Sequence, residues 1–160
     1  MAFDTRNGTR GARQPGRNRL EQWGNRRMVE RLRRHGDRRG TKLVLVTIGS
    51  KSGEERRTPV RWFPGEGDER FIVASASGAP RNPSWYYNIA AHPDHVATEL
   101  AGERIDVVAE QLHGAERDAV WRQITAAARG FARYERKTDR MIPVIRLTPL
   151  GGAESRHRIV

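Results

Sequence analysis

The stretch TKLVLVTIGSKSGEERRTPVRWF, residues 41–63, carries the clearest fold signal in the chain. Its first eight residues are rich in β-branched side chains, which is typical of a β-strand. Gly49 and Gly53 then bracket a short polar turn. A second strand follows, in which Pro59 marks an edge or a bulge. The stretch therefore predicts a β-hairpin whose turn is unusually rich in cationic side chains.

The sequence beyond this hairpin continues the alternation of strands and turns. Residues 70–75, 95–100, 104–111 and 143–148 each predict a further strand. Helices are expected at 83–91, with Asn82 as the N-cap, and at 115–128, whereas 129–142 is expected to be irregular. Because most of the six strands follow one another through hairpins, we expect an α+β fold. Its antiparallel sheet closes or nearly closes into a barrel with flanking helices.

The N-terminal part of the chain differs from the rest in charge. Residues 1–42 hold 13 of the 30 Lys and Arg residues but 4 of the 19 Asp and Glu residues. Residues 1–18 contain few apolar side chains and predict a disordered basic leader, dispensable for chemistry. Residues 19–40 predict an amphipathic helix that rests on the body or on an anionic membrane surface through Leu20, Trp23, Met28 and Leu32. The barrel domain is expected over 41–150, followed by a polar tail over 151–160.

The composition excludes several classes of protein and site. The chain has no cysteine, which excludes a disulfide framework, thiolate catalysis and cysteine-ligated metals. Its five histidines lack metal-binding spacing, so no metal site is expected. The N-terminus lacks an apolar signal region, which favours a cytoplasmic location, with peripheral contact at the inner membrane face as a further expectation. A non-enzymatic module that binds nucleic acid or another anion through the leader is disfavoured, because the folded part carries little net charge.

Three segments could form a ligand site. Lys51 and Arg56 could bind an anion together with backbone donors of the glycine-bounded turn, or they could belong to a solvated hairpin. The segment ASASGAPRNPSWYYN, residues 74–88, places small side chains before a helix start, where a flat ring could approach the backbone. Its aromatic residues could equally pin the helix to the barrel. Phe131 and Tyr134 could wall a pocket.

These segments together resemble the deazaflavin-dependent nitroreductase family, whose members use coenzyme F420. The resemblance rests on TIGSKSGEERRTPV, VASASGAPRNPSWYYNIAAHP and YERKTDRMIPVIRLTP, and it covers residues 42–149. It implies a split β-barrel like that of FMN-binding flavin reductases. It also implies hydride transfer from reduced F420 to a small organic acceptor of quinone, enone or nitro type. FMN is the alternative cofactor, and relatives of this fold are often homodimers.

The resemblance also implies site residues. Lys51 and Arg56 match positions that grip the phosphate and the oligoglutamate tail of F420. Ser75, near the deazaflavin ring, and Tyr134, in the mobile substrate wall, are the candidate catalytic residues. The full set of candidate cofactor-binding residues is Lys51, Ser52, Gly53, Arg56, Arg57, Thr58, Pro59, Ser75, Ala76, Gly78, Ala79 and Asn88.

The chain departs from the family's pattern at several of these positions. Ser50 stands where many members have arginine, and Ala76 stands where many have lysine. Arg57 and Arg81 are the candidates to replace these two cationic contacts with the tail. Arg61 occupies the place of an aromatic residue of the substrate wall, so we expect the acceptor to differ from that of the family's prototype.

Overall fold

The computed structural model describes residues 3–16, 18–151 and 156–158. The strands are β1 Lys42–Ile48, β2 Glu55–Pro64, β3 Arg70–Val73, β4 Val96–Leu100, β5 Glu103–Gln111, β6 Val144–Pro149 and β7 Arg156–Arg158. The helices are α1 Arg19–His35, α2 Ser84–Ala91, α3 Gly114–Ala127 and α4 Gly130–Lys137, and a short 3-10 helix spans Ala76–Gly78.

The first six strands form a closed antiparallel barrel. Their order is β4, β1, β2, β3, β6 and β5, and the β4–β5 pairing closes the circle. This confirms the predicted α+β fold with about six antiparallel strands. The seventh strand, β7, pairs with the beginning of β5 and lies within the region expected to be a polar tail.

Alternation along the strands separates the barrel's interior from its outer face. The interior is filled by the buried side chains of the strands, including Leu43, Leu45, Ile72, Ile145 and Leu147. Helix α2 packs Trp85, Tyr86 and Ile89 into this same cluster. The aromatic residues of α2 thus serve the core, as one of the two interpretations of that segment expected.

Two sets of helices cover parts of the outer face. Helix α1 packs Val29 and Leu32 against Val44, Val46 and Ala97 of β1 and β4. Helices α3 and α4 pack against the outward side chains of β2, β3 and β6, in a cluster that contains Phe63, Phe71, Val120, Ile124, Phe131, Tyr134 and Val144. Parts of β2 and β3 lie between these two covers and line a cleft.

The contact made by α1 differs from the predicted stripe. Leu32 is buried and Met28 packs at the edge of its cluster, but Leu20 is 76% exposed and Trp23 is 50% exposed. Leu20 and Trp23 stay exposed because only the second half of α1, with Val29 and Leu32, packs on the barrel. Among the described residues, no helix is both long enough and apolar enough to cross a membrane.

The structure corrects two local predictions. Helix α2 begins at Ser84 with Pro83 at its N-cap position, so Asn82 is not the cap. Instead Asn82 is buried, and its amide bonds to Arg140 and to the Thr5 carbonyl. The expectation of irregular structure at 129–142 is wrong at α4, because the aromatic side chains of this helix pack on the barrel while its charges face outward.

The leader also differs from the expected disorder. The described part of it, residues 3–16, forms no helix or strand, yet its backbone bonds to the loop after β3. The Gly8 N–H donates to the Pro80 carbonyl at 2.7 Å, and the Ala12 N–H donates to the Gly78 carbonyl at 3.0 Å. The leader is too polar to form its own core, but it gains order from hydrogen bonds to a preformed surface.

Candidate functional site

A cleft of about 710 Å³ runs over the outer face of β2 and β3. This volume falls in the range typical of small-molecule and cofactor sites. Five parts of the chain form its walls: strands β2 and β3, the loop that leads to α2, α2 itself, one face of α4, and the leader with α1. The lining residues that carry the argument below are Gln14, Thr58, Pro59, Arg61, Ser75, Ala76, Arg81 and Phe131.

Four of the predicted site residues meet in this cleft. Thr58 and Pro59 contribute from β2, and Ser75 and Ala76 contribute from the loop after β3. Ala76 and the following Ser77 have φ values of 45° and 56°, a backbone region that residues other than glycine rarely adopt. Small side chains at this turn let a ligand approach the backbone closely.

Arg140 holds this loop in place. Its guanidinium donates to the carbonyls of Ala74 at 3.0 Å, Ser75 at 2.9 Å and Ala79 at 3.1 Å, and to the side-chain oxygen of Asn82 at 2.5 Å. Arg140 is buried, and this burial lowers the pKa of its guanidinium. A fixed fork of donors suits several carbonyls at once, so Arg140 sets the shape of the strained turn.

Sequence reasoning missed Arg140. The residue lies in a segment where basic and aromatic side chains alternate, which looks like a solvated surface. The signal that could have found it is its place in YERKTDRMIPVIRLTP, one of the three segments that carry the resemblance. Nothing local in the sequence indicates that this guanidinium turns inward.

The β1–β2 turn carries the predicted cations at the surface. Lys51, Ser52, Gly53 and Arg56 are all exposed, and Gly53 has a φ of 72° that favours glycine. The Arg56 guanidinium donates to the Ser52 hydroxyl at 3.2 Å. In the part of the chain that the structure describes, Lys51 makes no hydrogen bond or ion pair.

This turn lies beside the cleft rather than in its lining. Arg56 precedes Thr58 by two residues on the same strand, a rise of about 7 Å along β2. Asn88 of α2 fixes the turn, because its side-chain oxygen accepts from the Ser50 N–H at 2.9 Å and its amide donates to the Thr47 hydroxyl at 3.1 Å. The amide of Asn88 is therefore used to position the turn.

Arg57 bonds to carboxylates of the protein itself, and its expected role as a replacement for the missing cationic contacts stays a prediction. Its Nε donates to buried Glu99 at 2.6 Å, and a second nitrogen donates to Glu55 at 3.2 Å. Hydrogen bonding to Glu99 raises the pKa of Arg57, against the opposing effect of its burial. Arg33 of α1 also bonds to Glu99, so this cluster fastens α1 to the barrel. Arg81 does line the cleft and is exposed there.

The remaining predicted residues lie behind the cleft wall. Gly78 and Ala79 are buried, and their carbonyls accept from the leader and from Arg140, respectively. The Tyr134 ring packs on Phe131 with a centroid distance of 5.6 Å. Of these two aromatic residues, Phe131 lines the cleft. The expected catalytic role of Tyr134 stays a prediction.

The cleft fits an extended ligand with a flat end and an anionic end. Small side chains border its deep part, Arg61 and Arg81 line it, and two exposed cations continue the positive charge along β2. Charge-assisted bonds from such cations suit phosphate and carboxylate groups. Among the described residues, no group of three or more His, Asp or Glu side chains could hold a metal ion.

Comparison with known proteins gives a consistent result. Residues 19–149 match the model of the F420H2-dependent quinone reductase family. An F420H2-dependent quinone reductase of Mycobacterium tuberculosis is 36% identical over 109 residues, which cover 66% of this chain and 72% of that protein. The region that the family model matches includes β2, β3, the loop after β3 and α4.

Solved structures show the same similarity. An F420H2-dependent reductase, FDR-A, is 35% identical with a TM-score of 0.58, and the match covers 67% of this chain and 93% of that one. A second solved chain, described as a domain-swapped dimer, is 32% identical with a TM-score of 0.60, over 80% of this chain and 98% of that one. This chain therefore belongs to the F420H2-dependent quinone reductase family, a family of split-barrel oxidoreductases.

Proposed function

We propose that this protein transfers a hydride from reduced F420 to a small quinone-type acceptor, and that both bind in the cleft over β2 and β3. The observation that carries the proposal is the coincidence of two findings. The family match spans residues 19–149, and within them the cleft joins small residues to a strand that leads to exposed cations. The relatives' names supply the acceptor class, quinone, for this proposal.

The residues of the cleft and those of the neighbouring β1–β2 turn would hold different parts of the cofactor. Thr58, Pro59, Ser75 and Ala76 would lie against the deazaflavin ring, where their small side chains leave room for a flat group. Lys51 and Arg56 would bind the phosphate and the oligoglutamate tail through charge-assisted hydrogen bonds. Many family members have cationic residues where this chain has Ser50 and Ala76, and Arg81 would supply one of the two missing contacts.

When bound, F420 supplies the hydride-donating chemistry, and the protein supplies binding, orientation and exclusion of water. Arg140 fixes the carbonyls of Ala74 and Ser75, and thereby the loop against which the ring would rest. Phe131 and Arg61 also line the cleft. Ser75 lines the cleft, and we propose that its hydroxyl contacts a reacting oxygen.

The direct test compares cofactors and acceptors on the pure protein. We expect F420 to bind in a titration calorimeter, and reduced F420 to be reoxidised when menadione is added as the quinone probe. FMN is the matched competitor. Tight binding of FMN together with no binding of F420 would contradict the cofactor assignment, and binding of F420 without menadione reduction would contradict the acceptor class.

A finer part of the proposal concerns the membrane. Leu20 and Trp23 are exposed on α1, and Arg27 stacks on the Trp23 ring at 5.0 Å from its centroid. An exposed apolar pair beside arginines suits the surface of an anionic bilayer. We expect co-sedimentation with phosphatidylglycerol vesicles at low salt and a clear loss of it in Trp23→Ala. Equal sedimentation of the two proteins would contradict this contact.

A second finer part concerns self-association. A solved relative is described as a domain-swapped dimer, and this supports a homodimer for the present chain. Multi-angle light scattering of the full chain distinguishes the states directly. A monomeric mass across a hundredfold range of protein concentration would contradict the dimer.

A further inference from the structure

The leader forms one side of the cleft. Ala12, Gln14, Pro15 and Gly16, here called the leader wall, all line it, opposite the strand and loop residues described above. The contact is close: a Cβ at Gly11 would overlap the carbonyl oxygen of Gly78, so a larger residue does not fit there without movement. The leader wall is therefore part of the cleft's shape, which contrasts with the expectation that the leader is dispensable.

Two consecutive residues after α4, Thr138 and Asp139, anchor the leader just before this wall. The Thr138 hydroxyl donates to the Arg10 carbonyl at 2.8 Å. Asp139 accepts from the backbone N–H of Thr9 at 2.7 Å and also from the Thr9 hydroxyl. The neighbouring Arg140 holds the opposite loop of the cleft. One short segment thus fixes two walls relative to each other.

Gln14 is the polar member of the leader wall. Its side-chain oxygen is buried and has no hydrogen-bond partner among the described residues. Its amide nitrogen lies 3.5 Å from the Arg81 carbonyl, at the limit of a hydrogen bond. A buried polar atom without a partner is unfavourable unless a ligand satisfies it. A quinone oxygen can only accept a hydrogen bond, so Gln14 would contact it through its amide N–H, with the amide turned so that the nitrogen takes the place of the oxygen that has no partner.

The family match indicates which ligand the leader wall contacts. The match begins at residue 19, after the leader, so the cofactor-binding features shared by the family lie outside residues 1–18. The leader wall borders the same cleft but lies outside this shared region. It is therefore suited to contact the second ligand of the reaction rather than the cofactor common to the family. In an F420-dependent family, that ligand is the electron acceptor.

We propose that the leader wall determines which quinone-type acceptor this protein reduces. Gln14 contacts the oxygen of the acceptor. Asp139 is a positioning residue, here called the latch, because it holds the leader in place. The inference rests on the proposed function, because it assigns the shared part of the cleft to F420. Asp139 acts on the acceptor through the leader.

The first experiment loosens the latch with Asp139→Ala and uses Asp94→Ala, another exposed carboxylate, as the matched control. We expect amide exchange at Thr9 and Arg10, read by hydrogen–deuterium exchange without cofactor, to speed up about tenfold or more, as the loss of charge-assisted hydrogen bonds implies. With reduced F420, the ratio of kcat/KM for menadione to that for 1,4-benzoquinone should change severalfold through KM. The calorimetric Kd for F420 should stay within about twofold of wild type, a change that corresponds to less than 0.5 kcal/mol.

The second experiment replaces the contact itself with Gln14→Leu and uses Gln123→Leu, on the exposed side of α3, as its control. We expect KM for menadione to rise about fivefold to tenfold, the equivalent of one neutral hydrogen bond, with exchange at Thr9 unchanged. Asp139→Asn keeps an acceptor oxygen, so we expect its amide exchange at Thr9 to be slower than in Asp139→Ala. This result would show that Asp139 acts by holding the leader and that Gln14 acts by contacting the acceptor.

The outcomes separate this inference from the proposed function. A wild-type protein that does not use F420 overturns the proposed function and, with it, the acceptor assignment. Normal turnover with unchanged acceptor selectivity in both Asp139→Ala and Gln14→Leu overturns the inference alone. A loss of F420 affinity without a change in selectivity would place the leader wall against the cofactor and also overturn it.

Discussion

The β1–β2 turn and the Thr138–Arg140 segment are both polar and both lie near the cleft, yet their side chains are used differently. In the turn, Lys51 is exposed and makes no hydrogen bond or ion pair within the described residues, and the Arg56 guanidinium bonds there only to Ser52 and Glu54. In the segment, every side chain bonds to a residue at least 58 positions away. The charges of the turn are available to a ligand, whereas the polar groups of the segment form hydrogen bonds that hold the walls of the cleft in place.

The largest effect should come from breaking the segment at Arg140. Arg140→Ala leaves the carbonyls of Ala74 and Ala79 and the side-chain oxygen of Asn82 without their donor. The Ser75 carbonyl loses Arg140 but keeps the Gly78 N–H. Because each unsatisfied buried group costs about 1–3 kcal/mol, we expect the free energy of unfolding to fall by about 3 kcal/mol or more. Urea denaturation measures it, with exposed Arg133→Ala of α4 as the control. Equal stability of the two variants would show that the loop does not depend on Arg140.

The next effect concerns the turn, and it should appear in binding rather than in stability. Lys51→Ala or Arg56→Ala should each weaken F420 binding about tenfold to a hundredfold, since a charge-assisted hydrogen bond contributes about 1.5–3 kcal/mol. Stability should barely change, because exposed charges contribute little to it. Calorimetric titration at low and high salt is the measurement, with exposed Arg122→Ala of α3 as the control. Wild-type affinity in both variants would move the anionic tail away from this turn.

The third prediction sharpens the distinction between adjacent arginines. Arg57→Ala should lower the free energy of unfolding by about 1–2 kcal/mol, because buried Glu99 loses its shortest ion pair and keeps Arg33. Adding Glu99→Gln should recover part of this loss, since the buried charge is then removed. F420 affinity should change less than in Arg56→Ala. A larger loss of affinity from Arg57→Ala would mean that Arg57 binds the cofactor after all.

The smallest expected effect is a pH dependence at Asp139. Hydrogen bonds from the Thr9 side chain and backbone lower the pKa of this carboxyl from 3.8 to about 2. A carboxyl with a lowered pKa stabilises the fold above its unfolded pKa, and this contribution is lost as the pH falls toward the folded value. The difference in urea midpoint between wild type and Asp139→Asn should therefore shrink between pH 5 and pH 2.5. A constant difference would contradict the latch.

The sequence predicted the barrel because its signals are local. Alternating β-branched strands and tight turns specify hairpins, and hairpins supply three of the barrel's six pairings. Local patterns were less informative for the helices. The apolar stripe of α1 suggested a contact for Leu20 and Trp23, but a stripe does not show where along a helix its contact with the body ends.

The candidate site was predictable to the extent that its residues belong to recognisable motifs. Thr58, Pro59, Ser75 and Ala76 meet in the cleft as the resemblance implied. Arg140 and Gln14 were missed because their roles depend on contacts between distant parts of the chain, which composition and spacing do not reveal. The ion pair of Arg57 with Glu99 was not predicted, because the two residues are 42 positions apart.

The distance in sequence between Thr9 and Asp139 also orders the events of biosynthesis. The two residues are 130 positions apart, so the leader leaves the ribosome long before its docking partner exists. At about 5–20 residues per second, a bacterial or eukaryotic ribosome needs on the order of 10 s to make the intervening chain. During that time the leader lacks the contacts of Thr9 and Arg10 with Thr138 and Asp139. The cleft can therefore acquire its final shape only near the end of translation, so nascent chains should not take up cofactor in its mature pose.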